Sequence, residues 1–150
     1  MKNLIHTPCQ LAIRDDASGH SLIAIFHELK LQFPPGTEIP SNAVIARDWA
    51  LFSKWEMDEE EEGRDYISTT EIFWPDGTLF SRSELKASTP VANGMAFIVR
   101  VNGFPMGQTG TIRISSILSE NGNLIAGPIE TAIRLHHQFD LLLPLADGKA

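Results

Sequence analysis

The sequence predicts an all-β chain, a two-sheet antiparallel β-sandwich of about eight strands with at most one short helix. Three observations carry that expectation. Apolar and polar residues alternate with a period of two along much of the chain. Turn residues recur at roughly the 8–12-residue spacing of sandwiches and barrels. Strands separated by helical patterns, which a parallel sheet would need, are missing.

The elements follow in order. In the stretch from Leu4 to Arg14, the residues Ile5, Cys9, Leu11 and Ile13 are apolar, against His6, Gln10 and Arg14. This is the period of a half-buried strand, and Pro8, which lacks an N–H, marks it as an edge or bulged strand. Asp15-Asp16-Ala17-Ser18-Gly19 turns the chain. One long strand is then expected from His20 to Phe33, central over Leu22 to Phe26 and half-solvated afterwards. Pro34-Pro35-Gly36 and Pro40 end it. Ser41 to Asp48 reads as a short helix capped by Ser41 or Asn42, and a longer helix to Phe52 competes with a strand from Trp49 to Met57. The strand fits the alternation of Trp49, Leu51, Trp55 and Met57 with Ala50, Lys54 and Glu56.

An acidic loop, Asp58 to Asp65, leads to the clearest hairpin. Its strands are Tyr66 to Trp74 and Thr78 to Lys86, joined by Pro75-Asp76-Gly77. Met95, Phe97, Val99 and Val101 form the next strand. Ile112 and Ile114 open another, and the pair Ser115-Ser116 hints at a bulge before Ile117-Leu118. Asn121-Gly122-Asn123 turns into the last strand, where Ile125, Ile129, Ile133 and Leu135 oppose Glu130, Arg134 and His136.

At 150 residues the chain fits one domain, read as a β-sandwich over 1–138 followed by an apolar tail over 139–150. The formal net charge of −7, with only 12 scattered Lys and Arg, argues against nucleic acid and anionic membrane surfaces as partners. A single cysteine, Cys9, rules out an internal disulfide. The opening residues lack the continuous apolar run of a secretion signal, and nothing approaches a membrane-spanning length. A cytoplasmic location is expected.

No motif specifies a reaction. Carboxylates in separate turns, Asp15 and Asp16, Asp58 and Asp65, and Asp76, are the candidate calcium ligands if the turns converge. Against this, a like-charge run is ordinarily a solvated loop, and no EF-hand spacing occurs. His136 and His137 are adjacent, so on a strand they point to opposite faces and cannot share a metal. His27 falls on an apolar face, as a hydrogen-bonded core histidine would. Cys9 sits on the apolar side of its strand, which favours a buried, inert thiol. No serine lies in a G-x-S-x-G elbow. Trp49, Trp55, Trp74 and Phe80 serve either a core or a stacking platform. The tail residues Phe139, Leu141, Leu142, Leu143 and Leu145 either pack back on the domain or dock on a protein partner or a second copy.

The chain also resembles a family of small uncharacterised bacterial β-sandwich proteins. The resemblance rests on Cys9 in the opening strand, Asp15-Asp16 to Gly19, Leu22 to Phe26 with Pro34-Pro35, Glu62-Gly63-Arg64, Pro75-Asp76-Gly77, and the returning strands Gly110 to Leu118 and Leu124 to Leu135. His20, His27 and the apolar tail depart from it. It implies the sandwich fold and carries no activity. The expected function is a non-enzymatic protein-interaction module with no cofactor, self-associating or bound to another protein. A small-ligand or calcium-binding module and a hydrolase are the alternatives.

Overall fold

A computed structural model describes residues 1–14, 19–61, 64–87, 90–91 and 94–140. Among these, twelve strands and one three-residue 3-10 turn make up the regular structure. The strands are β1 (Lys2–Arg14), β2 (His20–Ile25), β3 (Glu28–Gln32), β4 (Val44–Ile45), β5 (Trp49–Glu56), β6 (Tyr66–Phe73), β7 (Leu79–Lys86), β8 (Pro90–Val91), β9 (Gly94–Val101), β10 (Phe104–Pro105), β11 (Gly110–Glu120) and β12 (Asn123–Gln138). They form one five-stranded sheet in the order β2-β1-β5-β9-β8, a second in the order β3-β12-β11-β6-β7, and a small ribbon of β10 with β4. The all-β expectation holds. The plain eight-strand, two-sheet antiparallel sandwich does not, because a third sheet is present and β3 pairs with β12 in parallel.

The departures have local causes. The long strand expected over His20 to Phe33 is two strands in different sheets. The chain crosses between them at Phe26 and His27, where the Phe26 N–H bonds the Pro8 carbonyl and the His27 carbonyl accepts from the Arg134 N–H. The helix expected over Ser41 to Asp48 is a turn closed by Ala43 N–H to Pro40 carbonyl, followed by β4. Its β-branched Val44 and Ile45 pair with Pro105 and Phe104 instead. Strand β1 lies between β2 and β5, not at an edge. Its register slips between Asn3 and Ile5. The apolar face read from the sequence is then mostly the wet one: Ile5, Leu11 and Ile13 are exposed, while Cys9 and Ala12 are buried.

The turns are where their residues place them. Asn121 (φ 50°) and Gly122 (φ 80°) close the two-residue hairpin between Glu120 and Asn123, the left-handed pair that such a turn requires. The register shift anticipated near Ser115-Ser116 falls between Ser116 and Leu118, opposite β12.

Two apolar clusters fill the space between the large sheets. One joins Trp49, Leu51, Val99 and Val101 to Ile72, Ile112, Ile114, Ile133 and Leu135, with Phe104 of the ribbon. The other joins Trp55, Met95 and Phe97 to Tyr66 and Leu118. Between them β5, β11 and β6 place hydroxyls inward: Ser53 between Leu51 and Trp55, Ser116 between Ile114 and Leu118, and Thr70 and Ser68 between Ile72 and Tyr66. All four are buried.

A third cluster lies on the outer face of the β1-β5-β9 sheet. There the far half of the β1–β2 hairpin leaves the sheet and lies back across it. Ala12 and Leu22 pack on Ala50, Phe52, Ala96 and Ile98, and the His20 ring sits 5.0 Å from Phe52. The reversal passes through Ala24, whose φ of 51° is left-handed and strained for a residue with a Cβ. Ala24→Gly should therefore raise stability by about 0.5–1 kcal/mol, read by calorimetry. An unchanged or lower melting temperature would mean that the bend carries no strain.

Candidate functional site

The back of the β1–β2 hairpin is the feature that sets this sandwich apart. Cross-strand register places Leu11 opposite Ile23, Ala12 opposite Leu22 and Ile13 opposite Ser21. Since side chains alternate, Ala12 and Leu22 point down onto the sheet while Leu11, Ile13 and Ile23 point away. Leu11 is 41%, Ile13 44%, Ile23 46% and Ile25 54% exposed. Together they present on the order of a few hundred Å² of aliphatic surface, the scale at which an exposed patch marks an interaction site. The flanking strand β2 is an edge strand with no charged side chain along its HSLIAI sequence. Such edges carry unpaired backbone groups, and proteins that keep them solitary place Lys or Pro there.

The outer face of the opposite sheet is different in kind. Arg113 pairs with Glu130 at 2.8 Å and lies 4.3 Å over the Phe73 ring, Arg82 reaches both Glu71 and Glu84, and His136 meets Glu28 at 3.1 Å. Those groups satisfy one another in water and need no partner, although each exposed pair adds little stability.

No protein-family model matches the chain, and no curated relative is found. The function therefore has to be read from the geometry.

The sequence-derived candidates fare unequally. Asp15 and Asp16 lie outside the described residues. Asp58 and Asp65 stand before β6 and Asp76 beyond it, so eight residues of strand, on the order of 25 Å, separate them. Asp76 is a turn cap: its carboxylate accepts from the Thr78 N–H and hydroxyl and from the Gln108 amide. The Thr78 hydroxyl, then its N–H, hold this carboxyl below the usual range. The acidic run is a small fastened knot. Glu61 accepts from the Asp58 N–H and from the Met1 ammonium, and the Tyr66 hydroxyl donates to the Glu61 carbonyl. Among the described residues no group of three or more His, Cys, Asp or Glu is arranged to hold a metal.

Of the tail, Phe139 and Asp140 are described; Phe139 is 46% exposed with its ring 5.9 Å from Phe33. Leu141, Leu142, Leu143 and Leu145 lie outside the described residues. His137 donates to the Met106 carbonyl at 2.6 Å. His27 is not in the core as expected; its ring bridges Thr7 Oγ1 and the Ala132 carbonyl, both at 3.3 Å, and so clips one sheet to the other. Trp49 and Trp55 are core residues, and Trp74 stacks edge-on against Phe80 at 5.4 Å. Cys9 is buried, and burial pushes its thiol up, as expected of an inert cysteine.

Sequence reasoning missed His6. It projects between the sheets, where its Nδ1 meets Ser53 Oγ at 2.7 Å and its Nε2 is buried without a hydrogen-bond partner. Burial lowers its pKa to about 4, against a weaker opposing pull from the Ile114 backbone. Thr70 and Ser116 satisfy each other at 2.7 Å, whereas Ser68 Oγ and Trp55 Nε1 have no partner among the described residues. Nothing in the spacing of isolated Ser, Thr and His residues reveals that they share one layer. Only the register of four strands brings them together.

Proposed function

We propose that this protein is a non-catalytic interaction module that docks a protein partner on the back of its β1–β2 hairpin. One observation carries the reading: Leu11, Ile13 and Ile23 are exposed together on an element whose other face is committed to its own core, with Ile25 exposed beside the bend at Ala24. Keeping these half-exposed aliphatic side chains in water forfeits roughly 1 kcal/mol for each one that a partner would cover. A chain selected for folding alone would place polar residues there, as the opposite sheet does around Arg82, Arg113 and Glu130. The interface expected from sequence at the tail is joined by this second, better-defined surface.

The module acts by shape and apolar burial, with the hairpin supplying a pair of strands and β2, the outer strand of its sheet, offering main-chain bonding along Leu22 to Ile25. Ile23→Glu with Ile25→Glu should abolish partner docking in a pull-down against a Glu28→Gln, Arg134→Gln control. The melting temperature should stay within about 2 °C, since exposed side chains away from packed features contribute little to stability. Retention of the same partner by the Glu variant would overturn the reading.

A further inference from the structure

We infer that the hollow beneath the hairpin is a binding site for a small zwitterion carrying an apolar side chain, such as a free amino acid or a peptide end. This goes beyond the interaction reading and, apart from Leu11, which borders both surfaces, uses different residues. Where the hairpin lies across the sheet, Phe52, Leu22 and Ile98 fill the space between them. Ala12 and Ala50, 2% and 3% exposed, close the base of the space, and Leu11 and Ile98 form its open apolar wall. A cleft of about 260 Å³ opens at that point, bounded by the hairpin at Gln10 and by the first turn of chain into β5 at Asp48. That volume suits a ligand on the order of ten non-hydrogen atoms, at the small end of ligand pockets.

The rim of the cleft is polar and uncommitted. Arg100 lies opposite Ala50 on β9, and Asp48 sits two residues before Ala50, so the two charges are near neighbours on one face. Their side chains form no ion pair with each other and no hydrogen bond or ion pair to another described residue. The side chains of Gln10 and Asn102 on the same rim likewise have no partner among the described residues. A rim that offers one cation, one anion and two amides beside Leu11 and Ile98 matches a ligand with both charges and a hydrocarbon body. Its carboxylate would take the Arg100 guanidinium, by bidentate bonding, and its ammonium the Asp48 carboxylate. A plain anion would meet Asp48 as a repulsive neighbour, and a plain cation would meet Arg100.

The test is a ¹H–¹⁵N NMR titration of the full chain with L-leucine, with isovalerate (the carboxylate alone) and with isoamylamine (the ammonium alone). L-leucine should give saturable shifts centred on the Ala12, Ala50 and Ile98 amides with a Kd on the order of 1 mM. Both half-probes should bind at least about five-fold more weakly, and Arg100→Gln and Asp48→Asn should each weaken L-leucine by about five- to ten-fold. Both substitutions are at exposed positions, so the variants should fold, and their spectra will show it. The inference fails if L-leucine gives no localised saturable shifts, if both variants bind it as the parent does, or if isovalerate binds as tightly as L-leucine. None of these outcomes bears on Ile23 and Ile25, so the docking reading is judged separately.

Discussion

Gly94→Ala should be among the most damaging single substitutions in the chain, lowering stability by about 3–4 kcal/mol and the melting temperature by on the order of 10 °C. A Cβ built at Gly94 would stand 2.1 Å from the Trp55 carbonyl oxygen and 3.2 Å from its carbon. Both are backbone atoms of the neighbouring strand, so no rotamer change relieves the overlap. The strands must separate where Gly94 opposes Glu56 and Met95 opposes Trp55. That opening unpacks Trp55 and Met95, each 2% exposed or less, from Leu118 and Tyr66. The control is Gly36→Ala, where φ is 79° but no atom lies within 4 Å, so only backbone strain of about 1 kcal/mol is added. Urea unfolding of the two variants separates the cases; equal losses would mean that the close strand approach at Gly94 is not real.

The second large effect concerns acid. The folded-state pKa of His6, about 4, lies below the ordinary value of 6.5, so the unfolded chain binds the proton more readily. Its contribution is fully present above pH 6.5 and is lost as the pH falls towards 4. The size over that window is about 3 kcal/mol. Denaturant unfolding at pH 7 and pH 4.5 should show most of this loss in the parent. His6→Leu should be less stable at pH 7, because Ser53 Oγ loses its partner, yet should lose much less between the two pH values. Glu61 and Asp76, whose carboxyls are held low by hydrogen bonds, act in the same direction but at more acidic pH. A parent and a His6→Leu variant with parallel pH profiles would show that the imidazole is solvated and titrates normally.

Much of the fold can be read in the sequence, and the exceptions share a cause. Period-two alternation located β5, β9, β11 and β12, and Pro75-Asp76-Gly77 and Asn121-Gly122 marked turns because their conformations are local. What alternation cannot give is which face meets which sheet. Leu11 and Ile13 alternate as a core face would, but the hairpin doubles back on Ala12 and Leu22 and leaves them outside. Likewise, a continuous β-prone run from His20 to Phe33 does not reveal that Phe26 and His27 carry the chain from one sheet to the other. Short pairings such as Val44-Ile45 with Phe104-Pro105 are decided wholly by distant partners.

The candidate site was less legible than the fold. Its residues were visible as apolar letters, but their value lies in being exposed, and exposure is set by the third dimension. The acidic turns drew attention by composition, yet one strand's length separates Asp65 from Asp76, so a shared ligand sphere would have needed β6 to be absent. The cleft beneath the hairpin is rimmed by Gln10, Asp48, Arg100 and Asn102, which stand far apart as letters. Only the strand register brings them to one opening.

The central claim is that the hairpin back is the docking face, and site-specific photo-crosslinking in living host cells tests it most directly. A benzophenone amino acid placed at Ile23 should yield a discrete adduct, either with a partner or at twice the mass of the chain. The same probe at Arg113, on the ionic outer face of the other sheet, should yield none. Adducts from Arg113 with none from Ile23 would contradict the claim, and so would silence at both positions.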